Sequence, residues 1–577
     1  MMIRSLLLVA IACLHLCVDA KDSLADRANV ILIVTDDQGY GDMGCHGNPW
    51  LKTPHLDQLA SESVRLEDYH VDPVCTPTRA SLMSGRYSSR VGAWSVTEGR
   101  QLLDADESTL ADAFESSGYR TGMFGKWHLG DTWPYAPRFR GFQDVVCHRA
   151  GGIDEIGNPS GNDFFDDTYY RNGIQERIEG YCTDVFFSEC ERFIVQPDER
   201  PFFVYLPLNA MHGPHTVAKK YYEPFLQNGH SEKRAKFFGM IINFDENLGH
   251  LMATLSHHAL DQDTLVIFMG DNGSASGREP DDYNAGMRGK KGSCYEGGHR
   301  VACFARWPTN FPAGHRVDAL TSCRDWFPTL VSLCDLETND IAFDGTDITS
   351  LLRNEKVDWP HRTLFVERQA DQPKLEIYPN PKQRYPHYAV LTERWRFVDG
   401  ELYDVDTDST QTSNVAEMHP AVTQKLIRAY KDYFADVFSD EAAFTCFQVG
   451  MSEENPTRFN VRDWHPTDGN VIWKKEQLAD DQLVINGFWA VNVTQPGMYT
   501  VRLSRFPDDE AGPMGAKLAR LRVGSIDQSK SISPDDGSVT FEVRLPAGKT
   551  LLRTWLTDKE LDVERGAYFV EVERIGS

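Results

Sequence analysis

Short apolar runs that stop at polar residues alternate with helical periodicity over the first 340 residues of the chain. The run in "NVILIVTDDQG" is continuous enough for a strand buried on both faces, and it halts at Asp36 and Asp37. In "TPHLDQLASESV" a Thr-Pro start precedes Leu56, Leu59, Ala60 and Val64, which share one face of a helix. "RTGMFGKWHLG" predicts a short strand ending at Lys126 and His128, and "PFFVYLPLNAMHGPH" a stronger one running into His212 and His215. A helical stripe follows in Phe237, Ile241, Phe244, Leu248, Leu251 and Leu255, and then "TLVIFMGDNGS", a strand that stops at Asp271 and Asn272. This alternation predicts an α/β domain over 27–340 with a large, mostly parallel sheet flanked by helices.

The pattern changes after residue 340. "HYAVLTERWRFVDGELYDVDTD" predicts antiparallel strands with a turn at Asp399 and Gly400, followed by a helix near 420–435, hence a smaller α+β subdomain over 341–450. "SEENPTRFNVRDWHPTDGN" has the composition of a linker. Over 465–577 apolar residues alternate with polar neighbours: Trp489, Val491 and Val493; Tyr499, Val501 and Leu503; Phe541, Val543 and Leu545; Tyr568, Val570 and Val572. That period of two predicts a C-terminal β-sandwich.

At the other end, Arg4 precedes the apolar run "SLLLVAIACLHLCV", and cleavage near Ala20 would release a secretory signal over 1–20. The expected location is therefore periplasmic or secreted. Cys13 and Cys17 leave with that segment, and the ten remaining cysteines are spread over a large chain in which Cys182 and Cys190 are a candidate pair. No Cys-x-x-Cys occurs, which argues against structural zinc. A net charge of −26 argues against nucleic acid and anionic membrane as partners. An anionic substrate is compatible with that charge only in a locally positive recess, because exposed charges farther apart than about 8 Å are screened.

Four strands that each release polar groups at one sheet edge predict such a recess, since ligands of open α/β sheets bind beyond the carboxyl ends of the strands. Asp36, Asp37, Asp271 and Asn272 offer only oxygen, the donor set preferred by calcium or magnesium. Lys126 and His128 stand two apart in an extended stretch and so share a face. His212, and Lys291 in the glycine-rich "RGKKGSCYEGGHR", supply further polar groups, and the glycines around Lys290, Lys291 and Glu296 suggest a loop pressed against a ligand. In "VCTPTRASLMSGRY", Cys75 directly precedes a helix-start signal in which Thr76 can cap and Pro77 fits the first turn, where an anion is favoured. Arg79 lies one turn further on, able to grip an oxyanion there.

Cys75, Pro77 and Arg79 spell Cys-x-Pro-x-Arg, and in this the sequence resembles the type I sulfatases of the alkaline phosphatase superfamily. "VTDDQGYGD", "GKWHLG", "GDNGS" and "GKKGSCYEGGHR" match further family blocks in the same order, and the resemblance covers roughly residues 27–440, with Ser84-Gly85 where Thr-Gly is more frequent. It implies an alkaline-phosphatase-like fold and hydrolysis of sulfate esters, small or carried on an oligosaccharide. It also implies that a maturation enzyme, formylglycine-generating or anaerobic, oxidises Cys75 to formylglycine (3-oxoalanine), whose hydrate attacks sulfur and passes through a covalent sulfate ester. By the same resemblance Asp36, Asp37, Asp271 and Asn272 hold calcium. Arg79, Lys126 and Lys291 stabilise charge, His128 is the base for sulfate release, and His212 with Lys291 protonates the leaving oxygen. Two rival readings are a metal-dependent phosphatase or phosphodiesterase of the same superfamily and a noncatalytic binder of sulfated glycans. The segment 148–170 and the loop 367–388 are expected to line the pocket, and Asn492 begins an N-x-Thr sequon.

Overall fold

A computed structural model describes residues 27–276, 282–338, 340–368, 387–437, 444–468, 471–558 and 563–576. The signal-peptide reading of 1–20 and most of the 367–388 loop lie outside the described residues.

The first half of the chain builds a ten-stranded sheet. Its strands are β1 (Asn29–Thr35), β2 (Val64–Leu66), β4 (Arg120–Lys126), β5 (Asp144–His148), β6 (Thr168–Arg171), β7 (Ile174–Arg177), β8 (Phe202–Pro207), β9 (Thr264–Gly270), β10 (Cys303–Arg306) and β11 (Arg316–Val317). The short β3 (Tyr69–His70) pairs outside this sheet with β12 (Thr321–Ser322). The spatial order is β11-β2-β10-β9-β1-β8-β4-β5-β6-β7. The central run β9-β1-β8-β4-β5 is parallel throughout, and antiparallel pairings join β10, β6 and β7 to its flanks. The sheet is therefore mixed around a parallel centre, as the continuous apolar runs of β1, β8 and β9 require: strands covered on both faces cannot alternate with polar residues.

Successive β1 residues feed two cores. Val30, Leu32 and Val34 pack with Phe203, Tyr205 and Ile267 on one face, while Ile31 and Ile33 pack with Val204, Leu206, Val266 and Phe268 on the other. The first face is covered by helices α2 (Cys75–Ser84) and α3 (Leu110–Ser116), the second by α1 (Pro54–Glu62), α4 (Cys182–Ile194), α5 (Lys219–Gln227) and α6 (Glu232–His257). Leu56, Leu59 and Ala60 are the buried face of α1 as expected, but Val64 belongs to β2, because the helix ends at Glu62. Cys182 and Cys190 both lie on α4 and are free thiols, as are all ten described cysteines. Eight residues of helix separate them by about 12 Å, beyond the reach of a disulfide. No described helix is long and apolar enough to cross a membrane.

A four-stranded antiparallel sheet follows, Leu364–Arg368, His387–Leu391, Trp395–Val398 and Glu401–Asp404, with its last turn at Asp399 and Gly400 and the helix Pro420–Val437 packed against it. Beyond residue 446 two further sheets enclose one apolar core, to which every alternating apolar residue named in the sequence contributes, from Trp489 to Val572. The segment read as a linker is part of this sandwich. Thr457–Asn460 pairs with the last strand, Phe569–Gly576, and His465–Asp468 with Asn486–Val493. Sandwich pairing thus begins at Phe447, ahead of the expected boundary at 465. The polar composition misled because these are edge strands with one exposed face. Asn492 donates its side-chain amide to Gln448 at 2.7 Å within this sheet.

Candidate active site

Because β9, β1, β8 and β4 are neighbours in that order, the residues just past their carboxyl ends are brought side by side. Backbone pairing continues one step beyond the strands: Asp271 N–H donates to Thr35 at 2.9 Å and Asp36 N–H to Ala210 at 2.8 Å. Asp36 and Asp271 therefore emerge together, both fully buried. Asp37 follows in a left-handed turn (φ 62°) and donates its N–H to Asp271 Oδ1 at 3.1 Å. Asn272 donates its amide to Asp37 Oδ1 at 2.9 Å.

Charge is balanced by cations reaching in from three directions. Lys126 Nζ lies 2.5 Å from Asp36 Oδ2, Lys291 Nζ 2.6 Å from Asp37 Oδ1, and Arg79 places Nε and Nη2 at 3.2 and 2.8 Å from Asp271 Oδ2. Burial opposes ionisation of Asp36, but Lys126, His212, Arg79 and Lys291 outweigh it and hold that carboxyl well below the usual range. Asp271 goes the other way: burial and its neighbour Asp36 push it up to about 7 against the pull of Arg79. Two carboxylates this close cannot both keep full charge in a dry site without additional positive charge.

Cys75 is the first residue of α2, behind Val74 as N-cap. Thr76 is therefore not the cap. It lies one residue inside the helix and donates Oγ1 to the His128 carbonyl at 3.2 Å. Arg79 is likewise not turned toward an anion at the helix start. Its donors go to Asp271 and, at 2.8 Å, to the Lys126 carbonyl, which makes it a clamp on the acidic pair. Cys75 Sγ lies 3.4 Å from His128 Nδ1, and the ligand atoms of Asp36, Cys75 and Asp271 all lie within 4.8 Å of one another.

His128 reaches Cys75 by a route the alternation argument did not foresee. β4 ends at Lys126, and His128 has φ 60°, so a left-handed step rather than a shared strand face brings the two side chains together. Burial first, then Lys126, Arg462 and Arg79, keep His128 neutral. With Nε2 3.0 Å from the Val96 carbonyl, the ring donates there and leaves Nδ1 to accept from Cys75. His212 is half-buried and also held neutral by burial, Lys291 and Lys126, with Nδ1 2.7 Å from the Gly213 carbonyl. All ten residues named from the sequence thus fall into one cluster, and Lys291 rather than Lys290 is the lysine bound to Asp37.

The glycines around Lys291 stand in close quarters. A Cβ on Gly298 would come 1.9 Å from the Ser293 carbonyl oxygen and one on Gly297 would come 2.4 Å from that of Gly289, so they let the loop pack on itself.

Two residues that no spacing singled out complete the surroundings. Arg462, from the C-terminal sandwich and nearly fully buried, places Nη2 2.9 Å from Glu155 Oε2 and donates Nη1 to the Ile156 carbonyl at 3.4 Å. Glu155 in turn accepts from Gly151 N–H at 3.0 Å, and Gly151 packs so closely on His128 that an added Cβ would lie 2.5 Å from its ring. Glu155 lies in the segment expected to line the pocket; nothing local marks Arg462.

The donor set suits a hard cation. Asp36 Oδ1 and Asn272 Oδ1 are buried with no hydrogen-bond partner, beside the Asp271 carboxylate. Such atoms are costly to bury unless a cation meets them. A second group of possible ligands, His70, Glu296 and His299, has its atoms engaged within the protein. The two rings meet at 2.9 Å, His70 bonds Asp68, His299 bonds the Cys294 carbonyl, and Glu296 is paired with Arg396 at 2.7 Å and Arg300 at 3.3 Å.

The Sulfatase family model matches residues 28–336. The chain is 32% identical over 517 residues to arylsulfatase J of Mus musculus, covering 80% of this chain and 82% of that protein. It is 32% identical over 423 residues to arylsulfatase A of Homo sapiens, covering 67% and 78%. Its fold is similar to the crystal structure of Ps i-CgsB in complex with k-i-k-neocarrahexaose, with a TM-score of 0.62 and 26% identity over 71% of this chain and 93% of that one. The chain belongs to the sulfatase family and is a sulfuric ester hydrolase of the arylsulfatase type.

Proposed function

We propose that sulfate-ester hydrolysis here runs on a formylglycine formed from Cys75 beside a calcium ion held by Asp36, Asp37, Asp271 and Asn272, with a sulfated carbohydrate as natural substrate. The observation that carries the reading is the meeting of Asp36, Cys75 and Asp271 ligand atoms within 4.8 Å, with two buried oxygens unpartnered beside them. When bound, calcium supplies positive charge for a sulfate oxygen and for the nucleophile. When formed, the hydrated aldehyde supplies that nucleophile, an oxygen in place of the thiol.

The chain's own residues take the remaining parts. Arg79 orients Asp271 by its two contacts, and Lys126 and Lys291, both protonated against carboxylates, present positive charge to the anion that develops. His128, neutral with Nδ1 toward residue 75, is placed to take a proton from it. His212 and Lys291 border the open cavity, and in this reading they supply the proton to the leaving oxygen. An anionic ester beside His212 favours its protonated form, so substrate binding charges the donor.

The thiol itself is a poor alternative nucleophile, since burial pushes it above its ordinary range. The two-metal phosphatase reading fits less well because the donors around Cys75 are mainly oxygens. A noncatalytic binder has no use for a neutral histidine on residue 75. A sulfated carbohydrate is favoured by the oligosaccharide in the structure of Ps i-CgsB. We assign residues 27–340 to catalysis, 341–446 to the α+β subdomain and the sheets from Phe447 onward to an accessory sandwich, with 1–20 as an export signal and an oxidising maturation enzyme as partner.

Mass analysis of the peptide containing residue 75 tests the central step. Conversion lowers its mass by about 18 Da. An unmodified cysteine in protein that releases sulfate at full rate rejects the formylglycine reading.

A further inference from the structure

A cavity of about 870 Å³ opens from Asp37, His212 and Lys291. That is near the upper end of small-molecule sites and larger than a single aryl sulfate fills. Its lining continues through His215 to Lys233 and Lys236 in the first turns of α6, and through Lys290 beside Lys291. Four lysines thus face two carboxylates, Asp37 and Glu232, on a chain whose net charge is −26. This local reversal of sign is what a recess for anions needs.

The lysines divide into two groups. Lys291 is tied to Asp37 at 2.6 Å and belongs to the catalytic cluster. Lys233 and Lys236 do not. Lys233 is exposed, and Lys236 rests on Glu232 at 2.8 Å in a pair one helical turn apart whose glutamate is two-thirds exposed. Such pairs contribute little to stability, so an incoming anion can exchange with Glu232 at small cost. His215, half-buried and held neutral by burial and by Lys233, offers its ring to a hydroxyl. Cationic heads and a hydrogen-bonding ring thus share one cavity with the sulfate-cleaving cluster.

We propose that the wall formed by Lys233, Lys236 and His215 is a second anion subsite, which holds a sulfate or carboxylate on a sugar unit next to the one whose sulfate is removed. The substrate class is then a polyanionic oligosaccharide, and small aryl sulfates use only part of the cavity. This rests on the catalytic reading above but has a separate test, because it concerns binding and not cleavage.

The full-length C75A chain, which cannot turn over substrate, is titrated with one disaccharide in three forms: bearing one sulfate, bearing a second sulfate on the neighbouring unit, and bearing a carboxylate there. Both dianionic forms are expected to bind about tenfold more tightly than the monosulfated one, and that advantage should shrink as salt is raised from about 50 to about 300 mM. A K233Q/K236Q variant in the same background should bring the ratio close to one. Preference for only one dianion identifies which group the subsite takes. Equal affinity for all three forms, or a ratio unmoved by K233Q/K236Q, overturns the proposal. Sulfate release by the matured wild-type enzyme is measured alongside. Charge-dependent binding without release would overturn the catalytic reading and leave the subsite standing.

Discussion

The edge of the parallel sheet and the C-terminal sandwich bury their side chains by opposite means. At the sheet edge Asp36, Asp271, Lys126 and Arg79 are all inaccessible, and what holds them is pairing: 2.5 Å between Lys126 and Asp36, 2.8 Å between Arg79 and Asp271. In the sandwich the interior is Trp489, Tyr499, Phe541 and their apolar neighbours, held mainly by contact, with the polar tips of Trp489 and Tyr499 donating to the Asn460 and Gln495 carbonyls. The first region keeps oxygen atoms unsatisfied, which costs stability and is tolerated only where a ligand uses them. The second spends nothing on chemistry and gains from area removed from water. Arg462 is the place where the two meet: a sandwich residue whose guanidinium ends among the groups around His128 and His212.

The sharpest way to separate the regions is to touch the carboxylate pair. Asp271→Ala removes the nearest carboxylate from the buried Arg79 guanidinium and so confounds folding with chemistry. Asp271→Asn keeps the volume and some hydrogen bonding. It is expected to lower kcat/KM for an aryl sulfate about 1,000-fold, corresponding to about 4 kcal/mol of lost charge stabilisation, with the melting temperature nearly kept. Sulfate release within tenfold of wild type would contradict the metal assignment.

Trp489→Ala attacks the other region. Removing a fully buried ring should cost about 3–5 kcal/mol, read by thermal or denaturant unfolding. If the sandwich were an appendage, sulfate release would survive its unfolding. Activity is instead expected to fall along the same curve.

Arg462→Gln narrows the comparison to one contact. It is expected to lower kcat about tenfold with little change in KM and to shift the pH profile, because His128 loses a neighbouring positive charge that holds it neutral. Arg462→Lys should restore part of the loss. A KM effect alone would assign Arg462 to substrate binding.

Asp463 sets a smaller, pH-dependent effect at the same junction. Burial pushes its carboxyl up to about 7, and it accepts from Asn460 N–H at 2.8 Å and the Gln101 amide at 2.9 Å. Between the unfolded value of about 3.9 and 7 the folded protein holds a proton that the unfolded chain releases, so stability falls as pH rises through that window. Asp463→Asn should flatten the melting-temperature profile there; a difference from wild type that is constant with pH would contradict it. Smallest of all, Arg520→Gln on the sandwich surface, where Arg520 pairs with Asp527 at 2.6 Å, should change neither melting temperature nor kcat/KM measurably.

The strand ends were legible because an apolar run long enough to be buried must stop where charge begins. Asp36, Lys126, His212 and Asp271 each follow such a run. The sandwich core was legible because its apolar residues alternate with polar ones in four separate stretches between Trp489 and Val572. The strands Thr457–Asn460 and His465–Asp468 were hidden, since an edge strand keeps few apolar positions and its partners, Phe569–Gly576 and Asn486–Val493, lie far along the chain. The Cys182–Cys190 pairing failed because proximity in sequence is not proximity on a helix.

Local pattern by itself determined the main strands and helices of the catalytic half, the polar groups released at its strand ends, and the family motif that begins at Cys75. Only the tertiary structure decided that Arg79 clamps Asp271, that His128 meets Cys75 through a left-handed step, and that Arg462 arrives from 334 residues beyond His128. The division has a physical cause. Apolar burial follows a short period that a single segment displays, whereas a buried charge needs one particular partner, and chain topology alone chooses which distant segment supplies it.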